Sequence, residues 1–239
     1  MSSGLAGLWV YLAASPLAAL TATLVAYQVG DWIYRRFDRN PLLNPVLLAV
    51  AMLAGLLLAG GIDYATYFEG AQFVHFLLGP ATVALAVPLY AHFAEVRRSA
   101  LALGVSLLAG SLTAAGSAVG IAWLLGASER TLASLAPKSV TTAIAMGISE
   151  QIGGLPSLTA VVVILTGIIG ATLGTYTLNL LRIRDWRARG FAVGLAAHGI
   201  GTARALQVNE VAGAFAGLAM GLNALATALL VPILYRLFF

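Results

Sequence analysis

The sequence predicts an all-α membrane protein, a polytopic transmembrane helical bundle in which some helices are interrupted. Of its 239 residues, 60% are hydrophobic and only 9% are charged, whereas soluble proteins carry about 25% charged residues. The mean hydropathy is +0.93, and apolar runs of about twenty residues, long enough to cross a bilayer, recur along the chain. Proline or glycine interrupts several of these runs, which predicts broken or re-entrant helices.

The distribution of charge favours a membrane protein over a nucleic-acid-binding one. Thirteen Lys and Arg against nine Asp and Glu give a formal net charge of +4. All the cations but one are arginines, and most of them lie in short loops between apolar runs. This pattern is typical of positive-inside topology, so we expect no nucleic-acid partner. The absence of cysteine excludes disulfides and thiol chemistry.

A single transmembrane domain is predicted over residues 1–239, with a retained first span rather than a cleaved signal peptide. The predicted segments are Leu8–Val29, Val46–Ile62, Gln72–Phe93, Ser99–Leu125, Glu129–Gly154, Leu158–Leu181, Phe191–Val208 and a last span from Glu210 to about Arg236. If all of them crossed, Arg97 and Arg98 would lie inside but the Arg182–Arg189 loop outside. Either Glu129–Gly154 is re-entrant or this loop is an exception to the charge rule.

The segment Leu135–Gly154 contains the strongest candidate binding site. It carries the only lysine, Lys138, in otherwise apolar sequence, together with Pro137, Ser139, Thr141 and Thr142. A helix that begins at membrane depth leaves N–H groups unpaired and presents the positive end of its dipole. An adjacent lysine adds charge, so we predict a site for a small carboxylate. The alternative is a lysine that extends its ammonium group to the membrane interface.

A short internal similarity suggests an opposing wall for this site. Leu78–Val87 aligns without gaps on Leu135–Ile144, at an offset of 57 residues. Paired interrupted segments in two halves of a chain point to a transporter binding site, often within an inverted repeat. Gly79, Pro80 and Thr82 are therefore candidate substrate-binding residues. Matches this short also arise by chance between apolar sequences, so duplication and coincidence both remain open.

A second constellation lies between His198 and Glu210. Its candidate substrate-binding residues are His198, Gly199, Gly201, Thr202 and Arg204. Glycine permits close backbone approach, and ionisable residues at membrane depth are functional candidates. The alternative is a packed helix bend in which Arg204 and Glu210 neutralise each other. Glu150 and Glu210 are candidates for coupling or gating, although Glu150 also fits a solvated helix end.

No pattern in the sequence indicates an enzyme. It has no phosphate-binding loop, nucleophile triad or paired catalytic carboxylates. The three histidines, His75, His92 and His198, lack metal-ligand spacing. We therefore expect a non-enzymatic protein that requires neither a metal ion nor a cofactor.

At these motifs the sequence resembles the LrgB/CidB (YohK-like) family of bacterial membrane proteins. The resemblance covers nearly the whole chain and is most specific in LAPKSVTTAIAM and RGFAVGLAAHGIGTARAL, with further support from NPLLNPVLLAV, GPATVALAVPLY, GGLPSLTAVVVILTGIIGA and EVAGAFAGLAMGLNAL. One departure is Ala143, which stands where some relatives have a second proline after the two threonines. This departure leaves the shape of the bend open.

The resemblance implies a multi-pass protein of the bacterial inner membrane that acts with a small LrgA/CidA-type (YohJ-like) membrane partner. Family members were first described as holin- or antiholin-like modulators of murein hydrolase export and autolysis. Related members carry pyruvate, and plastid relatives carry glycolate and glycerate. We therefore expect a transporter or transport subunit for small monocarboxylates, with a holin-like pore or regulator as the alternative. Whether the chain forms a homo-oligomer is left open.

Overall fold

The computed structural model describes residues 16–38, 40, 43–77, 80, 83–84 and 86–238. Helices dominate these ranges, which contain no strand, and the predicted all-α class is confirmed. The chain divides after Ala84 into two compact units, and each is described by itself.

Within its described residues, the first unit contains the helices α1 (Pro16–Arg36), α2 (Pro45–Gly60) and α3 (Tyr64–Phe76). Helix α2 begins where Asn44 accepts a 2.8 Å hydrogen bond from the Val46 amide, so a side-chain oxygen satisfies one of the first N–H groups. The α1 and α3 helices are joined by a 2.7 Å hydrogen bond between the Thr23 and Tyr67 hydroxyls. The predicted span Val46–Ile62 corresponds to α2, whereas Leu8–Val29 begins outside the described residues.

The second unit contains eight helices within the described residues. They are α4 (Ala86–Ala91), α5 (Phe93–Arg98), α6 (Ala100–Leu124), α7 (Glu129–Leu135), α8 (Thr142–Gln151), α9 (Pro156–Leu180), α10 (Trp186–Val208) and α11 (Glu210–Phe238). Helices α6, α9 and α11 are long and apolar enough to cross a membrane.

Helices α7 and α8 form a helical hairpin rather than one crossing, and we call residues 129–151 hairpin 1. In a straight helix Ser134 and Ser149 would lie about 22 Å apart. Instead, the Thr159 hydroxyl lies 3.0 Å from the Ser134 carbonyl oxygen and 2.7 Å from the Ser149 hydroxyl. The Leu155 amide also donates a 2.8 Å hydrogen bond to the Ser134 hydroxyl. The chain therefore folds back between α7 and α8, and both arms meet the start of α9.

Hairpin 1 starts beside the C-terminal end of α11, and its tip points towards the middle of the second unit. The Tyr235 hydroxyl donates a 2.9 Å hydrogen bond to the Glu129 carbonyl, at the start of the hairpin. The tip meets Asn223 instead, since the Asn223 amide lies 3.3 Å from the Ser139 carbonyl. Tyr235 lies twelve positions after Asn223 in α11, a rise of about 18 Å. The tip of hairpin 1 thus reaches the middle of α11.

Helix α10 is a second hairpin, folded at His198, where the backbone angles are φ 42° and ψ −134°. We call residues 186–208 hairpin 2. Its two ends would lie about 33 Å apart in a straight helix, yet Trp186 and Val208 line one small cavity. Gly201, beyond the fold, packs against Val193 and Ala197 before it. The predicted break at this run is confirmed, and the break reverses the direction of the chain.

The two hairpins enter from opposite ends of α11. Gly190 and Gly194, on the first arm of hairpin 2, lie against the Ala212 and Ala216 carbonyls near the N-terminal end of α11. Hairpin 1 starts at the other end, beside Tyr235. A long helix followed by a hairpin therefore occurs twice in opposite orientation. The long helices begin 56 residues apart (156 − 100) and the hairpins 57 (186 − 129).

This inverted pair differs from the one that the sequence alignment selects. The alignment matched Leu78–Val87 with Leu135–Ile144, but residues 78–79, 81–82 and 85 lie outside the described part of the chain. The relation of Pro80 to Pro137 therefore stays a prediction. In the second unit the inverted repeat relates hairpin 1 to hairpin 2. In this repeat the segment that contains Lys138 therefore corresponds to the segment that contains His198, not to Leu78–Val87.

The hairpins also resolve the conflict in the charge pattern. Because each hairpin returns to the end from which it started, the α9–α10 loop lies at the same end of the unit as the α5–α6 junction. Consistent with this, Ser99 lines one groove with Asp185 and Arg187. We call this the arginine-rich end; its cations are Arg97, Arg98, Arg182, Arg184, Arg187 and Arg189. The re-entrant alternative for Glu129–Gly154 is thus the one that the structure supports.

Substituting Gly194 tests the close packing of hairpin 2 on α11. Alanine normally stabilises a helix by about 1 kcal/mol relative to glycine. At Gly194 the added Cβ would collide with the Ala216 backbone, so Gly194→Ala should lower the midpoint of thermal unfolding in detergent. Gly104→Ala in α6, where a Cβ meets nothing within 4 Å, is the matched control and should leave the midpoint unchanged or raise it. Equal midpoints for the two variants would contradict the packing.

Candidate functional site

The tip of hairpin 1 contains the predicted lysine site. Residues 136–141 are not helical, so Pro137, Lys138 and Ser139 lie in the turn, and α8 starts only at Thr142. The helix is interrupted at Pro137, as the sequence predicted. Val140, just after it, is buried in a cluster with Val163 and Val231, which holds the turn in the core. Pro137 and Ser139 are buried, whereas Lys138 is half-buried.

Polar groups at this tip are available to a ligand. The Ser139 hydroxyl is buried and has no hydrogen-bond partner within the described residues. Thr141 occupies the N-cap position of α8, but its side chain makes no capping hydrogen bond. The first N–H groups of α8 therefore lack the usual side-chain acceptor. A small anion would satisfy both the hydroxyl and these N–H groups.

His198 forms the tip of hairpin 2 and is fixed by contacts to two elements. Its Nε2 lies 2.9 Å from the Val163 carbonyl in α9. The Thr202 hydroxyl donates a 2.8 Å hydrogen bond to the His198 carbonyl, which the fold removes from the regular helical pattern. Gly199 and Gly201 follow the fold, and Gly201 allows the second arm to pack on the first. The His198 ring and the Thr202 hydroxyl are thus both used in hydrogen bonds that hold hairpin 2 in place.

A buried asparagine in α11 joins the two tips. The Asn223 side-chain amide donates to the Ser139 carbonyl of hairpin 1 at 3.3 Å and to the Leu195 carbonyl of hairpin 2 at 3.1 Å. Its oxygen accepts hydrogen bonds from Ser111 in α6 at 2.6 Å and from Thr227 at 3.3 Å. Asn223 is 1% exposed. All the hydrogen-bonding groups of one side chain are used, and they connect four elements.

Sequence reasoning missed Asn223, although a signal was present. A lone amide in the apolar run AMGLNALATALL is costly in a membrane unless it is hydrogen-bonded, and it therefore marks a structural or functional position. The partners Ser139 and Leu195 are distant in sequence, so the run itself did not identify them.

The meeting point of the tips brings the two predicted constellations together. Lys138 precedes Ser139, whose carbonyl shares the Asn223 amide with the carbonyl of Leu195, close to His198. The second arm of each hairpin begins at its tip, which directs two helix N-termini towards the centre of the unit. The predicted gating residues Glu150 and Glu210 are both exposed, at the end of α8 and the start of α11. We call this meeting point the tip junction.

Arg204 lies away from the tip junction. It is half-buried on the second arm of hairpin 2, about 9 Å along the helix from His198. There it lines a cavity of about 30 Å³ with Trp186 and Arg189. The Arg189 guanidinium lies 5.1 Å from the centre of the Trp186 ring, a cation–π contact. The predicted His198–Arg204 constellation is thus separated into two places. His198 lies at the tip junction, and Arg204 lies near the two ends of hairpin 2.

The sequence predicted that Gly79, Pro80 and Thr82 of the first unit form an opposing wall of the site, and these residues lie mostly outside the described part of the chain. Pro80 has a described position and is exposed, whereas Gly79 and Thr82 lie outside the described residues. Their role in substrate binding therefore stays a prediction.

Comparison with known proteins places similar sequences along almost the whole chain. The profile of the LrgB-like family matches residues 23–237. YwbG of Bacillus subtilis, named as an uncharacterized protein, is 38% identical over 218 residues, which cover 91% of this chain and 96% of that protein. The holin-like protein CidB of Staphylococcus epidermidis is 33% identical, over 91% and 94% of the two chains. The antiholin-like protein LrgB of Bacillus subtilis is 29% identical, over 93% and 96%. No solved structure matches the chain.

Replacing Asn223 tests whether its hydrogen bonds hold the two tips. Asn223→Leu keeps the approximate size but leaves buried carbonyl and hydroxyl groups without a partner, each at a cost of about 1–3 kcal/mol. We expect a loss of about 2–5 kcal/mol in the free energy of unfolding, measured by denaturant titration in detergent. Asn179→Leu, at an exposed asparagine of α9, should cost much less, because the one hydrogen bond that it removes, from Arg189, is exposed to solvent. A similar effect at both positions would show that the Asn223 hydrogen bonds contribute little.

A double substitution separates the two hypotheses for Arg204. If Arg204 binds or gates substrate, Arg204→Gln should reduce uptake into proteoliposomes, and adding Glu210→Gln should not restore it. If the two residues only neutralise each other, the double variant should recover uptake, because removing both charges leaves neither uncompensated. Protein abundance in the membrane is the control for both variants.

Proposed function

We propose that this chain, which belongs to the LrgB-like family, binds a small anion at the tip junction and carries it across the membrane. The observation that supports this most directly is the meeting of two opposed, interrupted hairpins beside a half-buried lysine. Interrupted helices that meet at the membrane centre are the usual setting of substrate sites in secondary transporters. Their free helix N-termini favour anionic groups.

Short monocarboxylates, of the pyruvate, glycolate or glycerate type, are the proposed substrates. One carboxylate would accept hydrogen bonds from the Ser139 hydroxyl and the first N–H groups of α8, and would pair with the Lys138 ammonium. An ammonium is a compact charge that pairs with a carboxylate without demanding bidentate geometry. The Thr141 and Thr142 hydroxyls and the His198 ring would line the remainder of the site. These contacts require a small ligand with one negative charge.

A holin-like role is the second candidate, and the names of the relatives favour it over carboxylate transport. CidB of Staphylococcus epidermidis is named holin-like, and LrgB of Bacillus subtilis antiholin-like. In this alternative the chain forms or regulates a pore and influences murein hydrolase export and autolysis. The buried tip junction is the observation that favours the transporter, because a simple pore has no need of a deep cation.

We propose a multi-pass topology in the bacterial inner membrane. Helices α6, α9 and α11 would cross, and each hairpin would enter and leave on one side. The positive-inside rule assigns the arginine-rich end of the second unit to the cytoplasm. A small LrgA/CidA-type membrane protein is the proposed partner, and self-association is a further possibility for purified protein to test.

Substituting Lys138 tests the carboxylate site. Lys138→Met removes the charge and should abolish saturable uptake of labelled pyruvate into proteoliposomes, because a charge-assisted hydrogen bond contributes about 1.5–3 kcal/mol, or one to two decades in affinity. Lys138→Arg should also impair uptake, since a planar guanidinium replaces a compact ammonium. Arg130→Met, at an exposed position of α7, is the matched control.

The same preparation separates the two candidate functions. A transporter gives uptake that saturates and discriminates among acids, whereas a pore passes unrelated solutes and releases an entrapped dye without saturation. Normal saturable uptake by both Lys138 variants would move the site elsewhere. Dye release that is unaffected by Lys138→Met would favour the holin-like function. Each measurement should be made with and without the small partner.

A further inference from the structure

A groove runs along the surface between α6 and hairpin 2. It encloses about 450 Å³ and extends from Ser99, Asp185 and Arg187 at the arginine-rich end to Gly110 and Leu195. Ser106 lies exposed on its α6 wall, about midway between Ser99 and Gly110. One end of the groove therefore lies at the arginine-rich end of the second unit, and the groove follows α6 from there to Gly110.

The inner end of the groove adjoins the tip junction. A Cβ at Gly110 would lie 2.8 Å from Cδ1 of Leu195, so α6 and hairpin 2 are in contact at this point. Immediately behind the contact, the Ser111 hydroxyl and the Leu195 carbonyl are both hydrogen-bonded to Asn223. Asn223 in turn contacts the Ser139 carbonyl. One layer of side chains thus separates the groove from hairpin 1.

The opposite side of the junction is packed. Ala136, Val140, Ile148, Val163 and Val231 form a buried cluster around hairpin 1, on the side that faces the C-terminal end of α11. Ala115 and Val119 of α6 pack against this cluster, beyond Gly110 and Ser111. The same helix therefore borders a groove on one side of Ser111 and a closed core on the other.

Charge at the mouth of the groove suits an anion. Arg97, Arg98, Arg182 and Arg184 are exposed at this end of the unit. At the mouth, Arg187 donates a 2.6 Å hydrogen bond to Asp185, which lowers the pKa of that carboxyl to about 2. The pair is therefore charged but neutral in sum, and the surrounding arginines leave a positive field that attracts small anions.

We infer that this groove is the water-filled path by which a small anion reaches the tip junction from the arginine-rich end, and that the Gly110–Leu195 contact closes its inner end. The structure then represents the conformation open to that end, with hairpin 1 closed on the other side. This inference rests on the proposed function and adds the route, the gate and the side from which the site is reached.

Cysteine labelling tests the groove without requiring transport. The natural chain has no cysteine, so Ser106→Cys gives a single thiol in the groove. A charged, membrane-impermeant methanethiosulfonate reagent reacts with thiolates in water. We expect it to label Ser106→Cys at least tenfold faster in vesicles that expose the arginine-rich end outwards than in vesicles of the opposite orientation.

Two positions on the same helix provide matched controls. Ser117→Cys is exposed in the structure but lies outside the groove, so its thiol should stay protonated against lipid and react hardly at all with the impermeant reagent. Val119→Cys, packed against the hairpin 1 cluster, should react slowly with the impermeant reagent from either side. Size-exclusion profiles establish that all three variants are folded.

The outcomes separate this inference from the proposed function. If lipid fills the groove, Ser106→Cys will react as slowly with the impermeant reagent as Ser117→Cys, and the inference is wrong even where pyruvate uptake saturates. Faster labelling of Val119→Cys than of Ser106→Cys would place the open side at the other end and also overturn it. Labelling as expected without any saturable uptake would support the groove and contradict carboxylate transport.

Discussion

The hydrogen bonds of Asn223 are the interaction on which the second unit depends. One buried amide holds the carbonyls of two hairpin tips that come from opposite ends of α11. Its oxygen adds Ser111 of α6. Each tip is an interrupted helix with backbone groups that no helix satisfies, and such groups are tolerated at membrane depth only where protein or water accepts them. The asparagine satisfies one carbonyl of each hairpin, while the Ser139 hydroxyl has no hydrogen-bond partner within the described residues.

The hairpins follow from specific packing as well as from breaks in the sequence. Gly190 and Gly194 bring hairpin 2 against the backbone of α11. Hairpin 1 is fixed at its base by the Thr159 hydroxyl, which contacts Ser134 and Ser149. Small residues and hydroxyl groups are the usual means of close helix association in a membrane, where apolar burial gives little advantage over lipid. Because both hairpins reverse the chain, most arginines of the second unit lie at the arginine-rich end, whereas Arg130 and Arg236 lie at the opposite end.

Hydropathy predicted α6, α9 and α11 to within about two residues at nearly every end, because a run of apolar residues determines whether a helix can cross. Pro137 and the glycines after His198 also indicated both breaks. The charge pattern raised a reversal only for Glu129–Gly154, as one of two alternatives. It did not indicate the reversal at His198, since the two arms have the same composition whether the chain turns back or continues. The role of Asn223 escaped prediction because its partners lie 84 and 28 residues away in sequence.

The sidedness of the segments that flank the hairpins tests the central claim most directly. The chain has no cysteine, so single cysteines can be placed at the two ends of each hairpin. Ala127→Cys and Gln151→Cys mark the ends of hairpin 1, and Arg184→Cys and Gln207→Cys mark the ends of hairpin 2. Two opposed re-entrant hairpins predict that an impermeant thiol reagent reaches the first two from one face of the membrane and the other two from the opposite face. Labelling of Ala127→Cys and Gln151→Cys from opposite faces would show that this segment crosses the membrane, and would contradict the account.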